Sequence, residues 1–292
     1  MPLRIAEIAN DFRYEASGSL CGIERTRAFT QNDSHIFCTP SQIESEVKQV
    51  IELILDVYKD FGFKNYKFRL SLRDKNNTEK YFGNDELWEK SENSLREILK
   101  HSGAEYYEAL GEAAFYGPKI DVQVESALGH DVTLSTIQLD YQLPERFELE
   151  YVDEDNERKR PVVIHRAILG SLDRFTAFLI EETKGSLPTW LAPVQVKVMN
   201  IAESSEAYAK QVADKLKNAG IRTELDVRNE KISYKIRESA KMKIPYQVIV
   251  GDKERDENVV SLRLRGNVSK NNVKLDDLIE EINKKIKEHA LD

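Results

Sequence analysis

The chain has little of what several protein classes depend on. Its 292 residues hold two cysteines, Cys21 and Cys38, and neither belongs to a Cys-x-x-Cys pair, which excludes a disulfide framework. No apolar run approaches the ~18 residues that a membrane span needs; Ala177-Phe178-Leu179-Ile180 is among the longest and stops after one helical turn. Met1-Pro2-Leu3-Arg4-Ile5 leads into acidic residues without the apolar stretch of a secretory signal. Internal repeats and low-complexity tracts are lacking too. What remains, 40% apolar and 32% charged residues, is ample for buried cores and excludes disordered and collagen-like classes. The expectation is a globular, cytoplasmic chain with reduced thiols and no membrane partner.

A length of 292 residues leads to an expectation of two domains. Charge divides unevenly between them. From Pro188 onward there are 20 Lys and Arg against 17 Asp and Glu, whereas residues 1–187 hold 23 against 34. A net charge of −8 argues against wholesale polyanion binding, yet leaves room for a locally basic face in the C-terminal part. The sharpest break is Gly185-Ser186-Leu187-Pro188, where a helical pattern ends.

Before that break the pattern is mixed. Thr39, Pro40 and Gln42 form a helix-start signature, and Ile43, Val47, Val50, Ile51, Ile54 and Tyr58 follow helical spacing. Residues 66–73 alternate strictly and predict a half-buried antiparallel strand. A second amphipathic helix is expected over 85–100, strands at 120–124, 133–143 and 162–164, and a helix ending near Glu182. After Pro188 the chain alternates. Strand 194–200, helix 203–218, strand 221–227, helix 233–242, strands 246–251 and 258–264 and helix 275–289 predict a small mixed sheet with helices on both faces.

The most informative stretch runs from Arg25 to Ile36. If extended, its period of two places Arg25, Arg27, Phe29, Gln31, Asp33 and His35 on one face. Two guanidiniums, an aromatic ring, an amide, a carboxylate and an imidazole make a poor core face, although a solvated outer strand has the same composition. At ~3.3 Å per residue the segment spans about 33 Å, enough for a nucleotide and a second small ligand. Cations and the ring lie at one end, hydrogen-bonding and metal-competent groups at the other. Arg4–Arg13 is expected to hairpin onto this strand across a mobile loop containing Ser17-Gly18-Ser19 and Gly22. Arg13 could then clamp a phosphate in a bidentate contact that lysine does not reproduce.

These residues carry a family resemblance. Phe12-Arg13-Tyr14-Glu15 and the run Gly22 to Cys38 resemble the motif 2 region of threonyl-tRNA synthetases. Ala114 to Asp121, Ser135 to Asp140 and His165 to Phe175 resemble the following blocks, the last being class II motif 3. Pro188 to Gln195 and Arg228 to Ile232 resemble parts of that family's anticodon-binding domain. The resemblance covers essentially the whole chain, in order. It implies an α+β fold: a class II antiparallel sheet with helices, incomplete at its N-terminus, over 1–187, then a small α/β anticodon-binding domain with a mixed sheet over 188–292.

The implied activity is that of a threonine–tRNA ligase: threonine and ATP give threonyl-adenylate, and the threonyl group then moves to tRNA(Thr). Carried over by position, Arg13, Arg25 and Arg174 are catalytic. Arg13 holds the α-phosphate and attacking carboxylate, Arg25 and Arg174 the outer phosphates, and Phe29 stacks on adenine with Glu15 nearby. Gln31, Asp33, Tyr116 and Gln138 bind threonine. An apolar pocket separates threonine from valine by only ~10²-fold, and the family solves this with zinc, held by two histidines matching His35 and His165 and by one cysteine. Mg²⁺ accompanies ATP. Asn229, Glu254 and Arg263 read the anticodon, and Lys231, Lys235, Lys241 and Lys243 contact phosphates. The family's Glu-Arg pair stands here as Asp173-Arg174. The cysteine ligand and motif 1, with its homodimer contacts, lie upstream of the matched region, and neither Cys21 nor Cys38 matches the ligand. The reading at this point is a fragment with little threonine-activating activity, the alternative being a non-catalytic synthetase-like protein that binds tRNA or regulates.

Overall fold

Alternating side chains open the chain as a hairpin. β1 (Leu3–Phe12) runs antiparallel to β2 (Ala28–Cys38), with Leu3 opposite Phe37 and Phe12 opposite Ala28. The computed structural model describes residues 1–81, 84–127 and 129–292. β2 begins three residues later than the sequence pattern predicts. The Arg25 N–H donates to the Cys21 carbonyl at 3.0 Å and the Arg25 carbonyl accepts from Cys21 at 3.2 Å, so its backbone closes a turn instead of joining the ladder.

The Thr39 signature forms as expected. Gln42 Oε1 accepts from the Thr39 N–H at 3.0 Å, and a 3₁₀ turn over Pro40–Gln42 leads into α1 (Ile43–Phe61). β3 (Tyr66–Leu72), α2 (Asp85–Ser102) and β4 (Tyr106–Leu110) follow. Asn84 caps α2, its side chain accepting from the Glu86 N–H at 2.8 Å. Because α2 carries the chain back to its starting end, β4 lies parallel to β3. The expected purely antiparallel strand at 66–73 thus has one neighbour of each kind. β5 (Lys119–Glu125), β6 (Asp131–Asp140), α3 (Gln142–Arg146), the short hairpin β7 (Tyr151–Val152) and β8 (Arg158–Lys159), β9 (Val162–Ala167) and α4 (Leu172–Glu182) complete the region.

The seven-stranded sheet has the order β1-β2-β9-β6-β5-β3-β4. One face packs its apolar residues against the helices. Ile36, Leu70, Ile120, Ile137 and Ile164 meet Val47, Ile51, Ile54 and Tyr58 of α1, Leu95 and Leu99 of α2 and Phe175 of α4. Each such burial contributes about 1.5–3 kcal/mol, which fixes strand register and so decides what the opposite face presents.

The chain divides into two compact units, Met1–Glu181 and Glu182–Asp292. The second unit contains β10 (Val196–Asn200), α5 (Glu206–Asn218), β11 (Thr223–Asp226), α6 (Ile232–Lys241), β12 (Tyr246–Val250), α7 (Asp252–Glu257), β13 (Val260–Leu264), β14 (Ser269–Val273) and α8 (Leu275–Lys287). Its sheet order is β11-β10-β12-β13-β14, parallel over the first three and antiparallel beyond. Val196, Val198 and Val248 pack with Val212 and Leu216 of α5 and Leu278 and Ile282 of α8. The intervening residues Lys197, Gln247 and Arg263 stand in register on the other face, which is polar. α7 and β14 escaped the sequence reading because Asp-Lys-Glu-Arg-Asp-Glu and Ser-Lys-Asn-Asn-Val bury nothing that would impose a period. Among the described residues no helix is long and apolar enough to cross a membrane.

Candidate active site

Register across the first sheet assembles the site. Lys119 pairs with Gln138, Gln138 with His165, and His165 with His35. Paired residues share a face, so adjacent strands β5, β6, β9 and β2 carry an ammonium, an amide and two imidazoles in one row. The adjoining row holds Asp121, Thr136 and Ala167. On β2, Asp33, Gln31 and Phe29 follow His35 at the strand period.

Where β9 ends, the chain over 168–173 takes its place beside β2. The Asn32 N–H donates to the Gly170 carbonyl at 3.0 Å, Asn32 Oδ1 accepts from Ile168 at 3.2 Å, and the Thr30 N–H donates to Asp173 Oδ2 at 2.9 Å. Asp173 therefore anchors β2, a structural duty its shorter carboxylate performs. Gly170 has φ +62°, and a Cβ there would lie 2.9 Å from the Leu134 carbonyl oxygen, so this position requires glycine.

A cavity of about 340 Å³ opens on this face, lined among others by Arg13, Glu15, Arg25, Phe29, Gln31, Gln138 and Arg174. Arg25 Nε stands 3.3 Å from Glu15 Oε2, Arg174 Nε donates to the Glu24 carbonyl at 3.0 Å, and the Arg13 guanidinium lies 5.3 Å over the Phe29 ring. Arg27 does not join them. Its Nε donates to the Glu15 carbonyl at 3.0 Å and its guanidinium sits over Tyr14, so the expected common face of six side chains is broken at the turn.

Lys119 and Asp121 also line the cavity, and the sequence reading assigned neither. Asp121 is 1% exposed; its Oδ2 accepts from Arg69 at 2.8 Å, Lys119 at 2.9 Å and Ser71 at 3.1 Å, and Oδ1 from Thr136 at 3.0 Å. Opposite charges at alternate positions of one strand, Lys119 and Asp121, were the available signal.

At the other end, Tyr116 donates to Gln138 Oε1, and its ring centroid lies 5.3 Å from that of His165. Burial, with the Asp140 and Asp33 carboxylates nearby, pushes the Tyr116 phenol up to about 12, so it stays a donor. The adjoining Gly117 presses on β6: a Cβ would fall 1.8 Å from the Leu139 carbonyl oxygen. Asp33 Oδ2 is 3.9 Å from His35 Nε2.

The implied zinc finds an incomplete donor set. The His35 and His165 rings meet edge-to-face at 4.7 Å, and His165 Nε2 lies 2.8 Å from Asp140 Oδ2. Among the described residues no group of three His, Cys, Asp or Glu side chains could hold a metal. Cys38 is buried on the helix side of β2, where burial pushes its thiol up to about 12 and disfavours the thiolate ligand. Cys21 sits in the Arg25 turn.

The tRNA synthetase class II core domain (G, H, P, S and T) matches residues 1–183, and an anticodon binding domain matches 195–285. Threonine–tRNA ligases from Staphylococcus carnosus (strain TM300) and Geobacillus sp. (strain WCH70) are 54% and 55% identical over 280 residues, 96% of this chain and 43% and 44% of theirs. The solved RNA binding domain of threonyl-tRNA synthetase from Cryptosporidium parvum Iowa II is 39% identical with a TM-score of 0.91, over 97% of this chain and 70% of that one. The chain belongs to the threonyl-tRNA synthetase family. It spans about 43% of the length of the curated ligases it matches.

In this threonyl-tRNA synthetase family member, the second unit holds Asn229, Glu254 and Arg263 in different surroundings. Arg263 lines a groove of about 640 Å³ with Arg237, Lys243 and Gln247, and donates to Asn267 Oδ1 at 3.3 Å. Asn229, in the turn after β11, and Glu254, on α7, are not among that groove's lining residues. Glu254 Oε2 accepts from the Gly251 N–H at 2.9 Å and Oε1 from Ser261 at 2.8 Å. Burial raises its pKa, but these bonds outweigh burial and hold it below the usual glutamate value. Its carboxylate thus closes the α7 capping box.

Lys235 overturns its expected phosphate role. It is 1% exposed, and its Nζ donates to Asn200 Oδ1 at 2.8 Å and to the Asn200 and Asp226 carbonyls at 3.2 Å. Lys231 and Lys241 are exposed, while Lys243 Nζ donates to the Lys184 carbonyl.

Proposed function

We propose that the first unit is the ATP- and threonine-binding part of a threonine–tRNA ligase and the second its anticodon-binding part, with the division near 187. The reading rests on one observation above all: Arg13, Arg25, Arg174 and Lys119 converge on a cavity that also holds Phe29. Several fixed cations in one cavity suit a polyphosphate, and the ring suits a base.

In the reaction, a threonine carboxylate oxygen attacks the α-phosphorus of ATP while the bond from that phosphorus to the bridging oxygen breaks. Threonyl-adenylate forms and pyrophosphate leaves with the bond's electrons. Charge accumulates on the non-bridging oxygens, so preorganised cations stabilise that state more than the bound substrates. Arg13 holds the α-phosphate and carboxylate, Arg25 and Arg174 the departing phosphates, and Phe29 the adenine with Glu15 beside it. Mg²⁺ accompanies the phosphates. Lys119, aimed by Asp121, adds a further cation near the reacting end. The row Gln138–His165–His35, with Tyr116, Gln31 and Asp33, receives threonine: Asp33 accepts from its hydroxyl, and Gln31, Tyr116 and Gln138 surround its ammonium. Zinc takes no step in this derivation, because the described residues supply two imidazoles and no third ligand. In the second step the threonyl group passes to the terminal ribose of tRNA(Thr), whose anticodon the second unit holds.

Calorimetric titration of the chain with threonyl-sulfamoyl-adenosine, a non-reactive adenylate analogue, tests the reading. Binding is expected, weakened at least tenfold by Arg13→Ala, whose guanidinium meets the group that stands in for the α-phosphate, with little ATP–pyrophosphate exchange by the chain alone. No binding, or equal binding by the variant, overturns it.

A further inference from the structure

A second groove lies on the far side of α6 from Arg263. It encloses about 780 Å³, and its lining includes Lys197, Arg228, Tyr234, Arg237, Lys241 and Met242. Its cations are not equivalent. Arg228 is held by Asp226 at 2.7 Å and by Glu238, and Lys197 stands 3.3 Å from Glu224. Arg237 and Lys241 are exposed and have no hydrogen-bond or ion-pair partner among the described residues. With Tyr234 they form one stripe at i, i+3 and i+7 along α6. Tyr234 is 47% exposed, with its hydroxyl hydrogen-bonded to Glu238, and Met242 is 56% exposed, a large apolar area on a polar face.

An uncovered ring beside two unpaired cations is the arrangement that holds single-stranded nucleic acid: the ring stacks on a base, and the cations meet the phosphates on either side. Arg237 lines both this groove and the Arg263 groove, so the two adjoin at its side chain. From this we infer that an unpaired RNA segment crosses α6, with a base on Tyr234 and backbone phosphates at Arg237 and Lys241. Arg228 stays a structural residue, since its guanidinium is already saturated. The inference rests on the tRNA-binding reading of the second unit and adds to it a stacking platform and a second contact region.

The test is fluorescence anisotropy of the full chain with a labelled RNA stem-loop carrying a threonine anticodon. Loss of one stacked base is worth roughly a 5- to 150-fold drop in affinity, so Tyr234→Ala is expected to fall in that range and Tyr234→Phe to stay near the parent. Lys241→Ala should reduce the slope of log affinity against log salt by about 0.7, as for one single-strand phosphate. Both side chains are exposed, and an unchanged thermal melt separates lost binding from lost folding. Unchanged affinity in Tyr234→Ala beside a loss in Arg263→Ala overturns the second groove and leaves the anticodon reading standing. Absence of RNA binding by the parent overturns both. Equally tight binding of poly-glutamate, with the same dependence on Tyr234, overturns the assignment to RNA.

Discussion

Each unit buries a charged side chain against its sheet, Asp121 in the first and Lys235 in the second, and the two serve opposite ends. Asp121 collects a guanidinium, an ammonium and two hydroxyls beneath an open cavity, and Lys119 lines that cavity. Lys235, on the buried face of α6, is spent on the ends of β10 and β11. The physical device is the same, a desolvated charge held by several partners. What differs is the partner. Side chains of opposite charge can be shared with a substrate, whereas backbone carbonyls at strand ends can only fasten the fold. A buried charge therefore becomes informative about function once its partners are known.

The comparison can be broken most sharply at Asp121. Asp121→Ala strands Arg69 and Lys119 against each other, and about 3–5 kcal/mol of unfolding free energy should be lost in a denaturant titration. Asp121→Asn should lose less and still weaken the adenylate analogue. A variant that unfolds like the parent shows the carboxylate to be dispensable. Lys235→Met should cost about 2–3 kcal/mol, since a packed side chain of similar length remains while three acceptors lose their donor. Thermal melts compared with exposed Lys241→Ala sharpen the contrast, because the latter should leave the melt unchanged.

A smaller, pH-dependent effect is expected at Asp226. Hydrogen bonding to Arg228, against the opposing effect of burial, holds its carboxyl below the ordinary aspartate value. Its stabilisation is present above the unfolded value of about 3.9 and fades as pH falls through the lower folded value. The difference in melting temperature between the parent and Asp226→Asn should therefore shrink on acidification from pH 6 toward acid; a constant difference contradicts the assignment. Smallest in stability is Arg263→Ala. Its guanidinium has one weak partner at 3.3 Å, so the melt should hardly move while affinity for the anticodon stem-loop falls. Unaltered affinity removes Arg263 from the RNA contacts.

Much of the fold was legible because burial imposes a period. α1 announces itself by Ile43 to Tyr58, and β5 by Ile120, Val122 and Val124. The site was legible where the same period continues, so that Phe29, Gln31, Asp33 and His35 fall on one face. Reading failed where the backbone left that period, at Arg25 and Arg27, and where a polar residue's partner lies elsewhere in the chain. Lys235, on the buried face of α6, looks like a surface charge in the sequence.

The sequence by itself determined the alternation that gives each sheet an apolar and a polar face, because apolar side chains at fixed spacing must be removed from water together. Tertiary structure alone decided which polar groups became neighbours. His35 reaches His165, and Lys119 reaches Asp121's wider circle, only through strand pairing in the observed register. A charge's role depends on the distance to its partner and on access to water, and neither quantity exists before the strands are paired.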